Sequence, residues 1–178
     1  MTTFAKSGYG QVEPNHLSAQ RTGQIYAQLP VAANLLAAGG ALATAGGVEN
    51  GLFMKYDYAN GVVDLSGSGE WMLVYNEEKL YESGQTRADW IQASADAVNG
   101  VIVPRLFKTN VGDIFTTNMV KDATGYDVGD TLVVGTTGVL ELGSGSEGSM
   151  IWQIAAITTL PDGKAAVKIV RLPDVAAA

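Results

Sequence analysis

The chain has 178 residues, no Cys, one His and a net charge of −7. That length suits one domain of ordinary size. The absence of Cys excludes disulfides and thiolate metal sites, and the acidic balance opposes the clustered Lys and Arg that phosphate backbones require. The charge is uneven: residues 1–48 carry only Lys6, Glu13 and Arg21, a net of +1, which leaves 17 acids and 9 bases, a net of −8, in the remainder. No basic stretch followed by an apolar one succeeds Met1, which speaks against a signal peptide.

Residues 1–28 are small and polar, with scattered Phe4, Tyr9 and Tyr26. No apolar period of 2 or 3.6 runs through them. They suit either a disordered tail or an extended arm that orders on a partner. Residues 29–48 (LPVAANLLAAGGALATAGGV) are uncharged. Their length fits a membrane span, but their Ala and Gly content and the lack of a flanking Lys or Arg cluster do not. A short helix over Val31–Ala38, stopped at Gly39-Gly40, is the better reading. Residues 1–47 are thus expected to form a low-charge N-terminal arm, 48–174 a β-rich body and 175–178 a loose tail.

Within the body, Asn50-Gly51, Asn60-Gly61, Asn99-Gly100 and Asp162-Gly163 mark tight hairpin turns, because these pairs tolerate positive φ. Leu52–Tyr58 and Val62–Ser66 form a first hairpin, followed by a Ser-Gly loop over 66–69. Glu70–Asn76 is apolar enough for a central strand, and Glu77–Ser83 extends the strand pattern. Thr86–Asp96 reads as the body's one helix, with Thr86 and Asp89 in a capping box and Trp90, Ile91 and Ala95 on its inner face. Val101–Lys108 is a strand that Pro104 demotes to an edge or a bulge. Val111-Gly112-Asp113 and Val128-Gly129-Asp130 each open a turn followed by a strand, at Ile114–Thr117 and Thr131–Val134. Val139–Leu142 follows, and Met150–Leu160 with Lys164–Leu172 closes a long hairpin in which Val167, Ile169 and Arg171 share one face. The expected fold is mainly β: a small antiparallel β-barrel or β-roll with one short helix and an extended N-terminal arm.

No group of residues carries a reaction. Gly143-Ser144-Gly145-Ser146-Glu147-Gly148 matches G-x-G-x-x-G, but a β-rich run follows where a dinucleotide site needs a helix, so a hairpin loop is expected. Asp122, Asp127 and Asp130 fit no calcium loop and are ordinary turn residues. His16 has no orienting partner, and Glu77-Glu78 would face opposite sides of a strand. Phe53, Tyr56, Tyr58, Trp71, Tyr75 and Tyr81 suit a β core better than a sugar-stacking platform. No cofactor or metal site and no enzymatic activity are expected.

The segments Val48–Tyr58 (VENGLFMKYDY), Gly69–Tyr81 (GEWMLVYNEEKLY) and Val103–Asn118 (VPRLFKTNVGDIFTTN), with Tyr126–Leu132 (YDVGDTL), resemble tailed-bacteriophage structural proteins. More narrowly they resemble capsid decoration, or cement, proteins. The resemblance covers about residues 48–142. It implies a virion protein on the outer capsid surface that binds the major capsid protein and stabilises the shell. It also implies a homotrimer, with no nucleic-acid or membrane partner. Phe4, Tyr9, Ile25, Tyr26 and Leu29 become the candidate capsid-contact residues of the arm. The alternatives are a tail, baseplate or head-fibre component, or a carbohydrate-binding surface module resting on an exposed Trp71 or Trp152.

Overall fold

The computed structural model describes residues 2–4, 8, 10–17, 23–43, 47–76, 80–82, 85–87, 91–93, 101–121 and 123–175. In chain order these form β1 (Thr2–Phe4), β2 (Val12–His16), β3 (Ile25–Tyr26), α1 (Ala33–Leu36), β4 (Gly47–Glu49), β5 (Phe53–Asp57), β6 (Val62–Asp64) and β7 (Met72–Val74). They continue through β8 (Leu80–Glu82), β9 (Gln85–Arg87), β10 (Ile91–Ala93), β11 (Leu106–Phe107) and β12 (Ile114–Thr117). The last are β13 (Ala123–Tyr126), β14 (Thr131–Val134), β15 (Leu140–Leu142), β16 (Ile151–Thr159) and β17 (Ala165–Arg171). The protein is mainly β. Its principal sheets are antiparallel, one of five strands ordered β3-β11-β7-β5-β6 and one of six ordered β15-β14-β16-β17-β12-β2. Neither ladder closes into a barrel among the described residues.

Alternation along the five-stranded sheet supplies two cores. Phe53, Leu73 and Phe107 face the six-stranded sheet and join Phe115, Leu132, Leu140, Trp152, Ile154, Val167 and Ile169. Their neighbours Met54, Met72, Val74 and Leu106 face the other way, against Val31, Ala32, Leu35 and Leu42. Side chains one residue apart on a strand point to opposite faces, so a sheet covered on both sides reads as a continuous apolar run. That accounts for the run around β7, which occupies the centre of its sheet as expected.

The local hairpins form where the turn chemistry puts them. β5 pairs with β6 around Asn60-Gly61, and β16 with β17 around Asp162-Gly163. Asn50-Gly51 differs. It turns the chain from β4, which pairs with β10, into β5 of the five-stranded sheet, so it makes no hairpin. Gly51 has φ +89°, and an added Cβ there would lie 2.7 Å from Met119 Cγ and 2.8 Å from Thr117 Oγ1. Asn99-Gly100 lies outside the described residues. Pro104 does not make this an edge strand: the strand begins only at Leu106, beyond the proline, and β11 lies inside the sheet between β3 and β7.

Two expectations are corrected. The helix over Thr86–Asp96 is replaced by strands. Thr86 pairs with Tyr81 in the β8–β9 hairpin, and Ile91 pairs with Glu49 across β10 and β4. Thr and Ile lose χ1 freedom in a helix and fit a pleated ladder, and a paired strand satisfies its backbone where a single capped turn would not. Asp89, Trp90 and Ala95 lie outside the described residues.

The second correction concerns the arm. The described part of residues 1–47 is built into the body. β2 is an edge strand of the six-stranded sheet, with Val12 opposite Thr117. Gln11 N–H donates to Asn118 Oδ1 at 2.6 Å and Gln11 O accepts from Thr117 Oγ1 at 2.6 Å. Residues 30–32 tie β6 to the chain entering β11: Val31 N–H donates to Ile102 O, Val63 N–H to Pro30 O and Ala32 N–H to Val63 O. The short helix α1 covers the second core with Leu35, and Gly39 at φ +84° follows it, close to the expected stop. The physical reason is that uncharged segments with Val and Leu gain more by covering an apolar sheet face than by staying solvated.

Candidate functional site

Two strands, β5 and β17, change character at one end of the core between the sheets. On β5 the inward series runs from Phe53 to Lys55, and beside β7 it runs from Leu73 to Trp71. Phe53 is opposite Leu73 and Met54 opposite Met72, and just beyond this ladder Lys55 reaches the Trp71 ring. On β17 the series Val167, Ile169, Arg171 lies on one buried face, as expected, and ends in a guanidinium. Where these apolar series stop, the sheets enclose a cleft of about 420 Å³.

Its five-stranded wall carries Lys55, Gly69, Glu70 and Trp71, and its six-stranded wall carries Val133, Val134, Met150 and Arg171. The loop from Gly145 to Ser149 lines it as well, and Asp174 contributes from beyond β17. This loop is the G-x-G-x-x-G stretch. The strand β16 follows it, so no helix N-terminus faces the cleft and the dinucleotide reading fails on geometry. The loop is held as a turn: Ser146 N–H donates to Ser149 Oγ at 3.0 Å, Ser149 N–H to Ser146 O at 2.9 Å and Gly148 N–H to Val175 O at 2.9 Å.

Most charges around the cleft are already matched. Lys55 Nζ lies 4.5 Å from the Trp71 ring centroid, in cation–π range. Glu70 pairs with Lys108 at 2.5 Å. That contact, and then Tyr26, raises the Lys108 pKa above 10.5. Arg171 is fixed by Thr109, whose carbonyl and hydroxyl both accept from Nη1, and by Asp174 at 3.1 Å. Its Nε–H is buried and has no acceptor. Trp71 is half-buried and packs against the first core, so its ring is positioned from behind.

The other sequence candidates are dispersed. Phe4 stands in β1 opposite Ala123, and Tyr9 lies outside the described residues. Ile25 sits on the edge strand β3 and is 41% exposed. Tyr26 is used within the body: it meets Tyr56 edge-on at 5.2 Å between centroids, with Lys108 Nζ 5.1 Å from its ring. Leu29 is half-buried against the second core. Trp152 is fully buried between Phe53 and Phe115, so it offers no surface platform. Tyr56 is also buried, while Tyr58 is exposed. Asp130 Oδ2 accepts from Asp127 N–H at 2.8 Å, a turn-forming role. Asp122, Glu77 and Glu78 lie outside the described residues, and His16 stands in β2 opposite Ile114. Among the described residues no group of three or more His, Cys, Asp or Glu could hold a metal ion. No helix among them is long and apolar enough to cross a membrane. Lys55 and Arg171 are the cleft residues that sequence reasoning missed as a site. The available signal was the end of an apolar alternation in a charged residue.

No family model, no curated protein and no solved structure matches this chain.

Proposed function

We propose that the protein is a non-enzymatic structural component of a tailed-bacteriophage virion that binds the outer capsid surface and stabilises the shell. The observation that carries this reading is an apolar border at one edge of the five-stranded sheet. Ile25 is 41% exposed, Val101 46% and Val103 38%. Ile25 pairs with Phe107 and Val31 N–H bonds Ile102 O, so residues 25–31 run antiparallel beside 102–107, with Ile25 at one end of this border and Val101 and Val103 at the other. An unpaired sheet edge with exposed apolar side chains is a surface suited to partner binding. The partner on this reading is the major capsid protein, the assembly a homotrimer, and the expected arm contact contracts from five residues to the border around Ile25. The net charge of −7 suits solubility on an exposed particle and opposes a nucleic-acid partner. We also read the body as a roll, on the strength of the tie that residues 30–32 make between Val63 and Ile102.

The test is cosedimentation with empty heads of the source phage, comparing the intact protein with an Ile25→Asp, Val103→Asp double variant. Saturable binding that the double variant loses supports the reading. Absence of binding by the intact protein refutes it.

A further inference from the structure

The geometry points to Asn60-Gly61, in the β5–β6 turn, as a site of self-modification at which the Asn60 amide is lost and an isoaspartyl link forms. The reaction needs only water and a base. The Gly61 backbone nitrogen attacks the Asn60 amide carbon and gives its proton to solvent base. The Cγ–Nδ2 bond breaks, the nitrogen leaves as ammonia with a proton from solvent, and a cyclic succinimide remains. Water then opens the ring at either carbonyl. One opening gives aspartate, and the other reroutes the chain through the side chain as isoaspartate. Nothing is oxidised or reduced. A glycine in second position leaves the attacking nitrogen unshielded and its backbone free to turn.

In a folded chain the outcome depends on whether amide and glycine N–H are free to meet, and the described turn pairs differ in this. At Asn50-Gly51 both groups are engaged. Asn50 is 2% exposed, its Nδ2 donates to Asn76 O at 3.0 Å and its Oδ1 accepts from Asn76 N–H at 2.7 Å. Gly51 N–H donates to Val74 O at 2.9 Å. At Asp162-Gly163, Gly163 N–H donates to Leu160 O at 2.8 Å, and the carboxylate is held by Gln11 and Lys164. Asn60 is exposed, beside a Tyr58 that is 68% exposed. Gly61 N–H has no acceptor among the described residues, and nothing lies within 4 Å of where its Cβ would be.

One group restrains the Asn60 amide. Its Nδ2 donates to Asp57 Oδ2 at 2.6 Å, while Ala59 and Asn60 N–H donate to Asp57 Oδ1 at 3.0 and 3.2 Å. These contacts are exposed, and an exposed hydrogen bond exchanges with water at small net cost. Asp57 therefore slows the attack without preventing it. Loss of the amide replaces this donor with a second carboxylate, and like charges side by side repel. The isoaspartyl form also lengthens the backbone between Asp57 and Val62, which are cross-strand partners. The modification thus opens the hairpin from its turn, next to the Val63 that ties residues 30–32 to the sheet.

The test is incubation of the intact folded protein at mildly alkaline pH in heavy-oxygen water. It is read by isoelectric focusing, by peptide mass mapping and by enzymatic methylation of isoaspartyl carboxyls. The Asn60 peptide should take up heavy oxygen, gain a negative charge and become a methyl acceptor. The Asn50 peptide should convert at least about tenfold more slowly, because it reacts only through local opening. Asn60→Gln, whose longer side chain disfavours ring closure, should abolish the signal at this position. Asp57→Ser, which frees the amide, should hasten conversion severalfold. An Asn60 that stays intact in the folded protein, under conditions that convert it in the urea-unfolded chain, would overturn the proposal. So would Asn50 reacting as fast as Asn60, and an unchanged rate in Asp57→Ser would overturn the restraint assigned to Asp57.

Discussion

Removing residues 1–46 should unfold the protein rather than leave a free-standing body. Val12, Val31, Leu35 and Leu42 are each at most 8% exposed, and they cover two cores. At roughly 1.5–3 kcal/mol for each fully buried Val or Leu side chain, these four alone contribute about 6–12 kcal/mol. The whole stability of a natural domain is about 5–15 kcal/mol. The deletion also uncovers Met54, Met72, Val74 and Leu106 and removes the β2 partner of β12. Urea denaturation of fragment 47–178, followed by far-UV circular dichroism, should show no cooperative transition under conditions where the full chain shows one. A graded check is Leu35→Ala, which should cost about 2–5 kcal/mol. A fragment that unfolds cooperatively at the full-length midpoint would refute the argument. It would return residues 1–46 to the role of a detachable arm.

Gly51→Ala should destabilise by more than about 1 kcal/mol, since positive φ and a crowded Cβ act together. At Gly61, where φ is +66° and nothing lies within 4 Å, only the backbone strain remains, so the same change should cost less. Equal urea midpoints for the two variants would contradict this. The pH profile has a stated sign at each end. The Asn60 side chain, then its backbone N–H, lowers the Asp57 pKa. At Asp162 burial pushes the pKa up, but hydrogen bonds from Gln11 and Lys164 win, leaving it below 3.8. Both carboxylates therefore contribute stability that is present above 3.8 and lost as pH falls through their lower folded values. Lys108 acts in the opposite sense, its contribution being present below 10.5 and lost as pH rises past its raised value. Urea midpoints measured across pH should fall at both extremes. A midpoint that climbs on acidification below 3.8 would contradict the carboxylate assignments.

What the sequence determined alone is mostly what neighbouring residues settle between themselves. Asn60-Gly61 and Asp162-Gly163 close hairpins because the flanking strands meet within a few residues of the turn. The alternation Val167, Ile169, Arg171 is likewise a property of one strand. The apolar run around Leu73 announced a strand covered on both faces. Tertiary structure decided whatever depends on partners far along the chain. β2 joins β12 across about a hundred residues, and that pairing turned an expected arm into a sheet edge. Ile91 became a strand residue because Glu49 was there to pair with it, although the local capping pattern favoured a helix. Asn50-Gly51 had the composition of a hairpin turn, but its two strands belong to different ladders. The cleft is the furthest from legible. Trp71 stands out in sequence as one aromatic among several and Arg171 as the last residue of an alternating face, but nothing links them to each other or to Lys55. They line one cleft because cross-strand register and the packing of two sheets bring them to the same end of the core.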